Sequence, residues 1–184
     1  MIKNEKIGLF IGRFEPLTIG HCSIINDALS KVDKLIVALG SSQSKSSIKN
    51  PYSATLRTLM LTKVYEKEIL SEKLIIALIP DRDHPKDDEE WGKYLLENVL
   101  RQTGYKVNII FEGSEVVRNY WFNEEVKRIV IDKNIIPISA TEVREFIINY
   151  DYGNYKKYVP QELGSAEFFM TLKNILDKVN KDER

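Results

Sequence analysis

The sequence predicts an α/β fold: a doubly wound five-stranded parallel sheet with a helical C-terminal extension. Three observations lead there. Apolar runs of strand length alternate with stretches whose apolar residues recur at helical spacing. Several of those runs are apolar nearly throughout, as strands covered on both faces must be. No internal repeat or low-complexity tract breaks the alternation. The 184 residues, 43% hydrophobic and 29% charged, suffice for one ordinary soluble domain with a full core and are too few for two comfortable ones. Residues 1–184 are therefore read as one domain, helical from about residue 141 to about residue 180.

Ile7 to Ile11 is the first apolar run, and beyond the turn that follows it Ile24, Ile25, Ala28, Leu29 and Val32 fall at helical spacing. Lys34 to Gly40 is a second run ending in glycine, so Ile7 to Leu39 makes a β-α-β unit. Ser41 to Lys49 is polar and serine-rich, with Lys45 and Lys49. A domain boundary there would leave too little chain before it, so it reads as a functional loop. Ser53 suits an N-cap for a helix through Arg57, Met60, Leu61 and Val64. A third strand, Leu74 to Ile79, closes at Pro80. An acidic loop from Asp81 to Glu90 then hands over to a helix through Trp91, Leu95, Leu96, Val99 and Leu100. Lys106 to Phe111 and Val126 to Ile131 are strands four and five, with a short helix at Glu115 to Phe122 between them. Helices at Glu142 to Asn149 and Ala166 to Val179, joined by Tyr158-Val159-Pro160, complete the chain, and Lys178 to Arg184 reads as solvated tail. Tyr150, Tyr152, Tyr155 and Tyr158 either pack these helices or serve an interface between copies.

Lys plus Arg and Asp plus Glu are each 27, a formal net charge of zero. That argues against a broad nucleic-acid footprint and confines anion binding to a local site. The single cysteine, Cys22, forms no internal disulfide and reads as a small packed residue more readily than as a nucleophile. Met1 to Lys6 leads straight into the first strand without a signal-like or membrane-spanning stretch, so the expected location is the cytoplasm, with no membrane partner.

The chemistry is concentrated at two helix starts. Ile11-Gly12-Arg13-Phe14-Glu15-Pro16-Leu17-Thr18-Ile19-Gly20-His21 joins the first strand to the first helix. Such a turn aims unpaired N–H groups and the positive end of the helix dipole at a phosphate. Gly12 and Gly20 let backbone approach an anion, Arg13 offers a forked guanidinium, and His21 can donate a hydrogen bond. In Ile138-Ser139-Ala140-Thr141-Glu142-Val143-Arg144, Ser139 or Thr141 can cap a helix that presents Arg144 to the same kind of ligand. An ordinary tight turn and an ordinary N-cap are the plain alternatives for each stretch alone. Both follow the end of a strand, as do the stretches from Gly40 to Pro51, Asp81 to Trp91 and Glu112 to Glu115. In a doubly wound sheet one crevice can gather them all.

Gly-Arg-Phe-Glu-Pro-Leu-Thr-Ile-Gly-His resembles the first signature of the nucleotidyltransferase superfamily, with Thr18 where histidine is frequent. Ile138 to Arg144 resembles its second, Ile-Ser-Ser-Thr-any-Ile-Arg, with Ala140 and Val143 differing. Further runs are similar to the archaeal-type nicotinamide-nucleotide adenylyltransferases and to the transferase half of related enzymes that add a Nudix domain. They are Ser47-Ile48-Lys49-Asn50-Pro51-Tyr52-Ser53 followed by Arg57, Ile79-Pro80-Asp81 followed by Asp88 and Trp91, and Val159-Pro160. The likeness runs from about Ile7 to Leu176, so the transferase alone is expected.

The resemblance implies a Rossmann-like nucleotidyltransferase that joins ATP and nicotinamide mononucleotide into NAD and pyrophosphate, with Mg²⁺ bound through the ATP phosphates. It assigns Arg13, His21 and Arg144 to catalysis on the phosphates. Ile11, Gly12, Phe14, Thr18, Gly20, Ser139 and Thr141 complete the ATP site. Lys49, Asn50, Arg57, Asp81 and Trp91 would meet the second substrate, Trp91 by stacking on the nicotinamide ring. Asp83, Asp87, Asp88, Glu89 and Glu90 read as a solvated helix start rather than a metal cluster, although His84 is near. The run from Phe111 to Arg118 departs most from the family pattern. A nucleotidyltransferase for pantetheine phosphate, a polyol or sugar phosphate, or riboflavin phosphate is the nearest alternative, and a nucleotide sensor with weak catalysis is the second.

Overall fold

In the computed structural model of the chain, residues 5–43, 46–82, 88–113, 126–131 and 136–182 are described, Asp88 and Glu89 by their backbone alone. The predicted helix at Glu115 to Phe122, along with Lys45, Asp83, His84 and Asp87, lies outside the described residues. The sheet contains β1 (Ile7–Gly12), β2 (Lys34–Leu39), β3 (Leu74–Leu78), β4 (Ile109–Glu112) and β5 (Lys127–Val130) in the order β3-β2-β1-β4-β5. Every pairing is parallel, with Gly8 opposite Leu35 on one side and Ile109 on the other. The chain winds outward from β1 to β3 and then returns to β4. Strand order therefore reverses beside the carboxyl end of β1, where the glycine-arginine turn begins.

Strand periodicity divides the core into two layers. Leu35, Val37 and Leu39 pack with Phe10, Ile25, Met60 and Leu172 on one face, while Ile36 and Ala38 pack with Leu9, Leu95, Val99 and Ile110 on the other. The first layer is covered by α1 (Ile19–Lys31), α2 (Ala54–Val64), α5 (Ala140–Ile148) and α7 (Ala166–Asp182). The second is covered by α4 (Asp88–Thr103). Ser53 caps α2 as expected, its hydroxyl accepting from the Leu56 N–H at 3.2 Å.

Several boundaries differ from expectation. β4 starts at Ile109 rather than Lys106, because the Asn108 side chain takes the next ladder positions. Its Oδ1 accepts from the Ile7 N–H (3.0 Å) and its Nδ2 donates to the Glu5 carbonyl (2.8 Å). α4 begins at Asp88, inside the stretch expected as loop. The stretch from Lys178 to Asp182, expected as tail, continues α7, with Val179 buried. Three short elements escaped prediction: α3 (Glu66–Leu70), α6 (Tyr152–Tyr158) and a 3-10 turn at Gln161–Leu163. Tyrosines build that last region. The Tyr155 hydroxyl, wholly buried, donates to the Leu163 carbonyl, the Tyr152 hydroxyl donates to Gly164, and Tyr158 stacks on Phe146. Only Tyr150 faces outward, under the Lys173 ammonium.

At the outer edge of β3, the Gln102 side-chain amide accepts from the Leu78 N–H (2.9 Å) and donates to the Leu78 carbonyl (2.8 Å). Among the described residues no helix is long and apolar enough to cross a membrane.

Candidate active site

The first turn is built by a capping box. Thr18 caps α1, its hydroxyl facing the His21 N–H, while the His21 ring reaches back to the Thr18 main chain. The Thr18 N–H donates to His21 Nδ1 at 3.1 Å, and Thr18 Oγ1 lies 2.9 Å from the same nitrogen. A main-chain donor facing Nδ1 makes that nitrogen the acceptor, so neutral imidazole carries its proton on Nε2. Phe14 braces the ring edge-on at 5.0 Å between centroids and is itself 1% exposed. Gly12 is required by that arrangement: a Cβ there would come within 2.9 Å of the Phe14 ring. Packing against Phe14 is thus one reason for glycine at this position. Gly20 is different. The nearest atoms to a Cβ there would be the Ile136 and Ile138 carbonyls and Thr18 Oγ1, each at 3.5 Å, an ordinary contact.

The second helix start repeats the device. Ser139 caps α5, its Oγ accepting from the Glu142 N–H (3.1 Å), and the Glu142 carboxylate accepts from the Ser139 N–H (2.8 Å) and hydroxyl (2.6 Å). These bonds, the side-chain one first, hold the Glu142 carboxyl below the usual range. Thr18, Gly20 and His21 share a cavity of about 450 Å³ with Ser23, Ile138, Ser139, Ala140 and Glu142. Two helix starts, each with first-turn N–H groups that have no helical partner, therefore open on one space.

Arg144 ties the two stretches directly. Its Nη1 donates to the Glu15 carbonyl at 2.6 Å and its Nη2 to the Thr141 hydroxyl at 3.1 Å. Burial, ahead of its neighbours, lowers the Arg144 pKa from the ordinary value, and Glu15 opposes that shift. Arg13 is exposed, and its Nη1 donates to Asn50 Oδ1 at 3.0 Å. That bond joins the first turn to a tight turn in which Ser47 and Asn50 exchange main-chain hydrogen bonds. Lys49, next to it, is exposed.

Arg57 is a correction. Expected to touch substrate, it is 1% exposed and its guanidinium is spent on main-chain carbonyls: Arg13 (2.9 Å), Gly40 (2.8 Å) and Ser41 (3.0 Å). It braces the ends of β1 and β2 and has no face left for a ligand. Asp81 sits at the end of β3, exposed, with Oδ1 accepting from the Ser41 hydroxyl at 3.0 Å. Trp91, half-buried in the first turn of α4, packs against Tyr94 at 5.5 Å between centroids, and the Tyr94 hydroxyl donates to the Pro80 carbonyl. Ile11 is half-buried at the end of β1. Cys22 is buried and its thiol is pushed up to about 11 by that burial, which disfavours a nucleophile there.

Sequence reasoning missed Glu15. It is 2% exposed amid arginines, with Oε2 accepting from the Tyr52 N–H at 3.1 Å and Oε1 3.5 Å from Arg57 Nε. Burial, the largest influence, raises its carboxyl above the ordinary value, against the Tyr52 N–H and the charges of Arg57, Arg144 and Arg13. The available signal was an acid inside the otherwise apolar run from Phe14 to Leu17.

A family model described as Cytidylyltransferase-like matches residues 9–146. The nicotinamide-nucleotide adenylyltransferase of Thermococcus kodakarensis is 29% identical over 175 residues, covering 92% of this chain and 85% of the relative. That of Pyrococcus abyssi is 30% identical over 145 residues, covering 77% and 72%. Among solved structures, a bifunctional NMN adenylyltransferase/ADP ribose pyrophosphatase from Francisella tularensis matches with TM-score 0.75 and 25% identity over 97% of this chain. A structure of such a protein from the same organism, complexed with AMP and Mn ion, matches with TM-score 0.72 and 23% identity over 95%. The chain spans about half the length of those two structures, 52% in each case.

Proposed function

The chain belongs to the cytidylyltransferase-like family, and on that footing we propose that it is a nicotinamide-nucleotide adenylyltransferase, joining ATP to nicotinamide mononucleotide to give NAD and pyrophosphate. The observation that carries this reading is the meeting of the two capped helix starts on one cavity, with Arg144 bonded across to the first turn. A triphosphate laid there meets N–H groups of α1 and α5 and the Nε2–H of His21, and on this reading it extends beyond the cavity lining to the guanidiniums of Arg13 and Arg144. The 5′-phosphate of the mononucleotide attacks the α-phosphorus of ATP and pyrophosphate leaves. No protein nucleophile is needed, so catalysis consists of alignment and neutralisation of growing charge.

Thr18 and Thr141 act on the site through their neighbours, Thr18 by orienting His21 and Thr141 by accepting from Arg144. Ser139 gives its hydroxyl to the capping box, which leaves its helix start rather than its side chain for phosphate. Asn50 and Lys49 face the acceptor mononucleotide, with Asp81 near its ring and Trp91 stacked on it. Among the described residues no group of three or more His, Cys, Asp or Glu stands together. On this reading a divalent cation, Mg²⁺ in the cell, comes with the phosphate oxygens and water, as magnesium commonly does. Thr18 and Ala140 are the departures that would favour a sensor, yet Thr18 holds the histidine in place here. One cysteine in the whole chain suits a reducing compartment, the cytoplasm.

The test is purified protein with Mg-ATP and a panel of phosphate-bearing acceptors, scored for pyrophosphate and for the product formed. NAD from nicotinamide mononucleotide is the expected result. Product only from pantetheine, polyol, sugar or riboflavin phosphate would move the acceptor assignment, and pyrophosphate from none of them would end the transferase reading.

Gly20→Ala probes the cavity without disturbing the fold. Since the nearest neighbours of the new methyl lie at 3.5 Å, the melting temperature should be unchanged or slightly raised, as alanine favours a helix over glycine. The KM for ATP should rise about tenfold, because the methyl displaces the phosphates from their aligned position. A fall in stability accompanying the rise in KM would show that Gly20 serves packing instead.

A further inference from the structure

We propose that Glu15 is a positioning residue that holds the acceptor-side loop and the phosphate-side arginines in one fixed relation, a role that rests on the adenylyl-transfer reading. Its side chain and its own carbonyl reach three separate elements. Oε2 accepts from the Tyr52 N–H, at the end of the loop that carries Asn50, and Oε1 faces Arg57 on α2 at 3.5 Å. The Glu15 carbonyl accepts from Arg144 on α5 at 2.6 Å. Arg57 extends the connection to the Arg13, Gly40 and Ser41 carbonyls, and Arg13 closes it by donating to Asn50. Asn50, on the acceptor side, and Arg13 and Arg144, on the phosphate side, are thereby referred to one residue.

The contact with Arg57 is a charge contact rather than a hydrogen bond, since Glu15 Oε1 and Arg57 Nε are both buried without hydrogen-bond partners. An apolar residue would brace the turn at lower cost, because a buried ion pair seldom outperforms apolar packing in stability. A carboxylate adds what an apolar residue lacks. It offsets the mutual repulsion of Arg13, Arg57 and Arg144, which all act electrostatically on Glu15, so that two of them can stand ready for phosphate before it arrives. In-line attack between two bound anions depends on such placement to within about an ångström.

Glu15→Gln keeps the shape and an acceptor for Tyr52 while removing the charge. Two readouts are taken on the folded full chain: steady-state kinetics with each substrate varied, and calorimetric affinity for α,β-methylene-ATP, which binds but cannot release pyrophosphate. The expected result is a kcat lowered about tenfold or more, with analogue affinity also reduced. Wild-type kcat, KM and analogue affinity in a folded Glu15→Gln protein would overturn the proposal. A wild-type protein that makes no dinucleotide would overturn adenylyl transfer instead. The analogue arm then still decides Glu15, weaker binding to the variant supporting it and equal binding refuting it.

Glu15→Asp separates charge from reach and covers failure of Glu15→Gln to fold. It should hold analogue affinity near wild type while the KM for the mononucleotide rises, because the shortened carboxylate withdraws from Tyr52. An unchanged mononucleotide KM in that variant would also overturn the proposal.

Discussion

Arg144→Ala is expected to lower turnover about 10²-fold or more, the size of a lost charge contact in a phosphate-transfer transition state. The guanidinium is half-buried and held from two directions, by the Glu15 carbonyl and the Thr141 hydroxyl. On the proposed reading it would reach the transition state without reorganising, its charge acting in a medium less screening than water. Burial lowers its pKa, but a guanidinium stays charged across any working pH. Arg144→Lys should recover only part of the rate, because an ammonium restores charge without the fork that keeps Glu15 and Thr141 while facing phosphate. Single-turnover rates at saturating Mg-ATP, with circular dichroism melts as the control for folding, make the measurement. Turnover that survives Arg144→Ala would remove the residue from the chemistry and leave it as a tether.

Arg57→Met should instead appear in stability, with a loss of about 3–5 kcal/mol, the range for stripping one partner from a buried ion pair. Three carbonyls lose their donor, and Glu15 keeps a buried charge without its nearest counter-ion. The midpoint of urea unfolding should fall with little change in slope. A shift below about 1 kcal/mol, the worth of a single ordinary hydrogen bond, would mean that the brace is redundant. The two arginines thus separate by readout: one is felt in the rate, the other in the midpoint.

Where function was legible, it was legible because local chemistry and global topology agree. The β-α-β unit, the N-cap at Ser53 and the two helix starts all follow from short-range patterns of apolar spacing, glycine, proline and hydroxyl residues. The second capping box is written plainly as Ser139 followed three residues later by Glu142. Arg57 shows where such patterns stop. Helical spacing placed it with Met60 and Leu61, but only the folded chain brings three carbonyls and an acid to one guanidinium. Glu15 was hidden for the same reason, since its partners lie 37 to 129 positions away or belong to main chain. Gly12 carries a second constraint that its neighbours in sequence do not announce: it makes room for Phe14 two residues on. The beginning of β4 could not be read from periodicity, because a side chain stands in for backbone at Asn108.

The amide of Gln102 bears on how copies of this protein can meet. A sheet grows by strand addition when an incoming chain finds outward donors and acceptors waiting along an edge. At β3 that template is already read at Leu78, by a side chain from the same molecule. Self-association through edge-to-edge pairing at that position is discouraged from within.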